Sequence, residues 1–198
     1  LSVLPLDFYR RDVVAVARDL LGKRLRHGKV VLAITEVEAY RWPGDTACHA
    51  RSGKTERNAA IWGPPGRAYV YLCYGLHQML NIVTGDDGEA AAILIRACEP
   101  VAGHDVVAQR RGCKTGPVLL TGPGKVGQAL GLDTTWSHHR LYRPGGLTVR
   151  DGPAPRTIAA GPRIGIDYAE PEHRALPWRF ADAESAWVSH RKGLAGIV

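Results

Sequence analysis

The chain is expected to fold as an α+β unit: an antiparallel sheet with helices packed around it. Three observations predict this. Strand-like runs cluster in the middle of the chain, helix-like runs lie on either side of them, and the links between neighbouring strand runs are short enough for hairpins rather than crossovers. At 198 residues the chain has the length of one domain, taken as residues 1–198, and no segment repeats at a fixed period or falls to low complexity.

Asp12 is an N-cap candidate, followed by Val13, Val14, Val16, Ala17, Leu20 and Leu21 at helical spacing, with Gly22 as the stop. After a turn at His27-Gly28, residues 29–40 are rich in Val, Ile and Thr and predict a long strand. Residues 41–66 turn to Gly, Pro, Arg, Asn and Asp, which predicts a long functional loop with at most a turn of helix near 55–61. Strands follow at 68–74, 79–84 and 90–97, the last two divided by the turn signal Gly85-Asp86-Asp87-Gly88. Further on, the pattern predicts helices over 101–111 and 125–130, short strands at 147–150 and 157–160, and a final helix over 182–188.

Lys and Arg outnumber Asp and Glu by 26 to 19, a net charge of +7, and the pI is about 9.5. That balance suits a polyanion partner, although basic charge by itself serves solubility equally well. Cys48, Cys73, Cys98 and Cys113 lack the C-x-x-C pairing of zinc ribbons and the density of a secreted disulfide scaffold, so reduced thiols and a cytosolic protein are expected. No apolar run reaches the roughly 18 residues of a membrane span, and the N-terminal residues lack a signal-peptide layout, so no membrane association is expected.

Two strands carry residues capable of chemistry. In Ile34-Thr35-Glu36-Val37-Glu38-Ala39-Tyr40 the period of two places Glu36, Glu38 and Tyr40 on one face. Either these carboxylates are solvated or paired with Arg, or one of them lines a cleft and takes a proton from water, as glycosidase carboxylates do. One carboxylate suffices when the leaving group is already good, as a protonated or N-alkylated purine is. In Ala68-Tyr69-Val70-Tyr71-Leu72-Cys73-Tyr74 the three tyrosines either pack a core or supply a stacking platform, with Tyr74 set apart on the other parity or in the turn at Gly75.

Along nearly its whole length the chain resembles the alkyladenine (3-methyladenine) DNA glycosylases of the mammalian and bacterial single-domain type. The segments that carry the resemblance are Ala17-Arg18-Asp19-Leu20-Leu21-Gly22, Glu36-Val37-Glu38-Ala39-Tyr40, His49 and Thr55-Glu56-Arg57-Asn58. They continue with Tyr69-Val70-Tyr71-Leu72-Cys73-Tyr74-Gly75, Asn81-Ile82, Leu94-Ile95-Arg96-Ala97, Gly122-Pro123-Gly124-Lys125 and Pro162-Arg163-Ile164-Gly165-Ile166. Each is weak alone; their order and spacing together make the signal.

The resemblance implies a base-excision-repair enzyme that flips alkylated or deaminated purines (3-methyladenine, 7-methylguanine, hypoxanthine, ethenoadenine) out of double-stranded DNA and hydrolyses the N-glycosidic bond. It implies Glu38 as general base and Arg96 beside the attacking water and the sugar phosphate. Tyr40, His49 and Tyr71 then hold the base, Asn81 crowds the amino group of normal guanine, Ile164 walls the pocket, and Tyr74 intercalates. Arg57, His77, Lys125 and Gly165 fall at DNA-backbone positions, His77 standing where mammalian relatives have tyrosine. The resemblance further implies a single mixed domain with a curved, open-barrel-like antiparallel sheet, a monomer without metal or other cofactor, working in the cytoplasm of a bacterium, with its nucleoid, or in the nucleus of a eukaryote. Two other readings remain open: a catalytically silent module that binds damaged DNA, and a small-molecule N-glycoside hydrolase, which would need no basic surface.

Overall fold

A computed structural model describes residues 1–112 and 114–197. Cys113 lies outside the described residues; Cys48, Cys73 and Cys98 are free thiols. The architecture is α+β, as expected, with nine strands in one antiparallel sheet that does not close into a barrel. No helix is long and apolar enough to cross a membrane among the described residues.

Helix α1 (Val13–Leu20) starts where the sequence indicates. The Asp12 carboxylate accepts from the amides of Val14 and Ala15 at 2.9 and 3.1 Å, a cap that contributes about 1 kcal/mol. Its buried stripe of Val13, Val16, Ala17 and Leu20 packs on the sheet. Strand β1 (Arg24–His27) then pairs with β2 (Val30–Trp42), which is the spine of the fold. The sequence reading had only a turn at His27-Gly28 and no strand before it.

Strands β3 (Ala68–Cys73), β4 (His77–Val83) and β5 (Ala90–Ala102) follow as hairpins, and β5 runs antiparallel to β2. The expected helix over 101–111 is shorter: Val101 and Ala102 continue β5, Gly103 turns with φ 73°, and α2 covers His104–Arg110. Helix α3 (Pro123–Leu130) lies against β4, closely enough that a Cβ on Gly127 would sit 2.1 Å from the Gln78 carbonyl oxygen.

Strands β6 (Thr148–Arg150), β7 (Ile158–Gly161), β8 (Arg179–Asp182) and β9 (Ala195–Ile197) complete the sheet, and α4 (Pro171–Ala175) is a single short helix. The order along the main path is β3-β4-β5-β2-β8-β7-β9, with β1 bridging β2 and β6.

The helix expected over 182–188 does not form. Asp182 ends β8, and tertiary bonds take the backbone polar groups that a helix would have used. The Ala183 amide donates to Thr157 O, the Thr35 hydroxyl to Trp187 O, and the Ser189 amide to Glu36. Long-range pairing thus overrides local helix propensity.

A bulge in β2 between Ile34 and Val37 decides what each face carries. Before it, Val30, Leu32 and Ile34 enter the main core; after it, Val37 and Ala39 do. Glu36, Glu38 and Tyr40 therefore share the opposite face, as the sequence period indicates.

Candidate active site

Strand register builds the site. Tyr69 on β3 stands opposite Asn81 on β4, Asn81 opposite Leu94 on β5, Leu94 opposite Glu38 on β2, and Glu38 opposite Arg179 on β8. Directly opposed residues project from the same face of a sheet. One row across five strands thus brings aromatic, amide and carboxylate groups together. The next turn of the pleat adds Tyr40 and Tyr71, and the loop and 3-10 turn at His49–Ser52 folds over them. The result is a cavity of about 480 Å³ lined by Tyr40, His49, Tyr71, Asn81, Arg96 and Ile164, among others, a size typical of small-molecule pockets.

Glu38 is fully buried directly beneath the lining, not on the open wall. Its Oε2 accepts from the Tyr40 hydroxyl at 2.8 Å and from Arg96 Nη1 at 3.3 Å, and its Oε1 accepts from the Ile164 amide at 2.8 Å. A carboxylate offers about four acceptor sites; with three filled, Oε1 keeps capacity for one more donor, such as a water molecule. The arrangement can thus hold and deprotonate a water at the cavity floor.

Arg96 lies between two carboxylates, with its Nε 3.6 Å from Glu36. Burial works against its charge, but Glu38 and Glu36 outweigh burial and raise its pKa above the ordinary value. Arg96 is thus an ion-pair partner of both Glu38 and Glu36. Glu36 also accepts from Arg179 Nη1 at 3.1 Å and from the Ser189 amide at 2.7 Å. Burial, then the Glu38 charge, drives the Tyr40 pKa well up, keeping its hydroxyl protonated as a donor to Glu38.

His49 and Tyr71 meet edge to face with centroids 4.5 Å apart. The His49 Nδ1 is 3.0 Å from the Tyr69 hydroxyl, whose pKa burial pushes up to about 12. Burial, with smaller contributions from Arg51 and Arg57, holds the His49 pKa below its usual value. Asn81 donates its amide to the carbonyls of Tyr69 and Met79, each at 3.2 Å, which fixes the side chain in the pocket wall. Gly165 also borders the cavity, with φ 75°.

Tyr74 sits at the rim, 91% exposed, in the β3–β4 turn. Its φ of 51° shows that the turn, rather than strand parity, sets it apart from Tyr69 and Tyr71. Arg57 also lies at the rim, where Nη2 donates to the Leu72 carbonyl at 3.0 Å. His77 and Lys125 stand outside the cavity around the start of α3: His77 covers Gly124, and Lys125 is half-buried near Arg111 and Lys114. Burial first, then those two cations, lowers the Lys125 pKa.

Sequence reasoning missed the support behind Tyr40. Arg163, fully buried, forms a bidentate pair with Asp45, donates to the Ala39 carbonyl, and stacks its guanidinium 4.7 Å from the Tyr40 ring. The partners are far apart in sequence, and neither residue carries a local signal of pairing. Tyr69, for which the sequence offers only core packing or a stacking platform, hydrogen-bonds to His49. No group of three or more His, Cys, Asp or Glu is placed to hold a metal ion among the described residues.

Residues 7–186 match the profile described as methylpurine-DNA glycosylase. A protein of Nitrosococcus oceani provisionally named 3-methyladenine DNA glycosylase is 62% identical over 98% of this chain and 96% of its own length. The Arabidopsis thaliana DNA-3-methyladenine glycosylase is 57% identical over 97% of this chain and 76% of its own. A provisionally named relative from Methanocella arvoryzae is 46% identical over 96% and 98%. The chain belongs to the methylpurine-DNA glycosylase family and is a DNA N-glycosylase for alkylated bases.

Proposed function

We propose that this glycosylase everts alkylated or deaminated purines from double-stranded DNA and hydrolyses the bond between base and sugar with a water activated by Glu38. The observation that carries the reading is the Glu38 carboxylate, held by Tyr40, Arg96 and the Ile164 amide at the floor of a ring-lined cavity. The everted purine stacks between Tyr40 on one side and Tyr71 with His49 on the other. Stacking is worth about 1–3 kcal/mol per base, and a cationic alkylpurine gains more over an aromatic face.

Tyr74, exposed at the tip of the hairpin, fills the space that the base leaves. The water approaches Oε1 of Glu38, its oxygen bonds to the anomeric carbon, and its proton passes to the carboxylate. The glycosidic electron pair departs with the purine, leaving an abasic site. Arg96 balances the charge of Glu38 and faces the sugar phosphate. Asn81, pinned to two carbonyls, cannot swing aside, and so rejects the amino group of unmodified guanine by contact. The unit acts as one domain and one monomer, in the bacterial cytoplasm or a nucleus according to its host.

The test is base release from duplexes containing hypoxanthine or ethenoadenine by Glu38→Gln. The variant is expected to bind lesion DNA while releasing base at least about a hundredfold more slowly. Undiminished release would sink the proposal. Absence of release by the unsubstituted protein, with binding intact, would favour the silent-module reading instead.

A further inference from the structure

Three arginines on the same sheet face as Glu38, but toward the other end of β2, have no role in the site described above. Arg24 of β1 stands directly opposite Arg150 of β6, and Arg26 lies opposite Thr148. On the other side of β1, Arg24 and Arg26 face Ala33 and Val31 of β2. They line two adjoining hollows of about 340 and 290 Å³, which share Arg26, Gly28 and Arg150, and Lys29 borders the larger. No carboxylate lines either hollow.

This arrangement costs stability. Like charges directly opposite one another in a sheet repel, and a buried donor without a partner is unfavourable. The Nε atoms of Arg24 and Arg150 are buried without a hydrogen-bond partner, as are those of Arg96 and Arg163, while Arg150 Nη1 donates to the Leu1 carbonyl at 3.0 Å. Among the described residues the half-buried Arg24 and Arg150 and the exposed Arg26 form no ion pair, whereas the buried Arg96, Arg163 and Arg179 all do. The neighbouring carboxylates do not compensate: Asp151 is held by Lys23 at 2.8 Å, and Glu99, opposite Ala33 on β5, makes no ion pair.

We propose that this hollow is a second DNA-contact site, taking backbone phosphates of the duplex that flanks the lesion. At about 3.3 Å per strand residue, the stretch of β2 from Val31–Ala33 to Glu38 spans roughly 20 Å. A duplex carries one phosphate charge per ~1.7 Å of axis, so the site engages phosphates several base pairs from the everted base. Guanidinium forks presented side by side match phosphate oxygens in a way that point charges do not. The inference rests on DNA being the substrate, not on the Glu38 mechanism.

The experiment compares the triple variant Arg24→Gln/Arg26→Gln/Arg150→Gln with the unsubstituted protein on two lesion duplexes. One is just long enough to cover the lesion pocket, and the other extends well past it. On the long duplex the plot of log affinity against log salt is expected to become shallower by about two to three units. On the short duplex affinity and single-turnover base release stay unchanged, which separates failure here from failure of the catalytic reading. The corresponding triple lysine variant recovers part of the lost slope, and the melting temperature of the Gln variant holds or rises because the repulsion is gone. An unchanged slope on the long duplex overturns the proposal. So does an equal loss on both duplexes, which would show a general electrostatic effect rather than a site.

Discussion

Arg179 and Glu36 form a buried ion pair, Nη1 to Oε1 at 3.1 Å, with side-chain exposures of 2% and 0%. Arg179 also donates to the carbonyls of Pro162, His190 and Lys192, and Glu36 accepts from the Ser189 amide. Glu36 in turn flanks Arg96, which contacts Glu38. The pair therefore ties the last segment of the chain to the floor of the cavity. Glu36→Gln keeps the shape of the side chain but leaves the buried Arg179 without a carboxylate and Arg96 with Glu38 alone. Removing one partner of a buried pair costs about 3–5 kcal/mol, and equilibrium denaturation should show a loss in that range. A loss below about 1 kcal/mol would mean that the pair is open to solvent.

Tyr74 combines near-complete exposure with a left-handed backbone, a conformation that costs a non-glycine residue about 1 kcal/mol or more. Core packing does not repay that cost, because the ring touches solvent. Tyr74→Ser is expected to slow base release from a fully paired duplex by at least about tenfold, since eversion sacrifices a few kcal/mol of stacking and pairing. Release from a lesion in a bulge or mismatch, already unstacked, should change far less. Kinetics on the two substrates in parallel provide the comparison, and equal losses would refute the intercalation role.

The sequence speaks clearly where one local rule governs. Asp12 reads as a cap because a short acceptor before an apolar stripe has little else to do, and β2 reads as a strand from its β-branched run. Period two joins Glu38 to Tyr40 without further information. What it cannot convey is pairing across distance. Asp45 and Arg163 meet only because the loop after β2 and the segment after β7 converge over Tyr40. Helical spacing in residues 182–188 misleads for the same reason, since its polar groups belong to Thr35, Glu36 and Thr157. The roles proposed for Tyr74 and Asn81 rest on family likeness; the structure puts Tyr74 exposed at the rim and Asn81 in the pocket wall.

His49 makes the pocket sensitive to pH. Burial, then the Arg51 and Arg57 charges, holds its folded pKa below the ordinary 6.5. Above that value the ring is neutral in both folded and unfolded chains, so it contributes no pH dependence there. As pH falls below 6.5 the unfolded chain takes up the proton first, and stability declines until the pH passes the depressed folded pKa. Inside the pocket the same proton would set an imidazolium against a cationic alkylpurine at short range. Release of 7-methylguanine should therefore fall more steeply with decreasing pH in the unsubstituted protein than in His49→Gln, whose side chain cannot charge. A pH effect arising elsewhere in the site is common to both proteins, so the difference between their profiles isolates His49. Superimposable profiles between pH 7 and the acid limit of stability would show that His49 does not face the bound base.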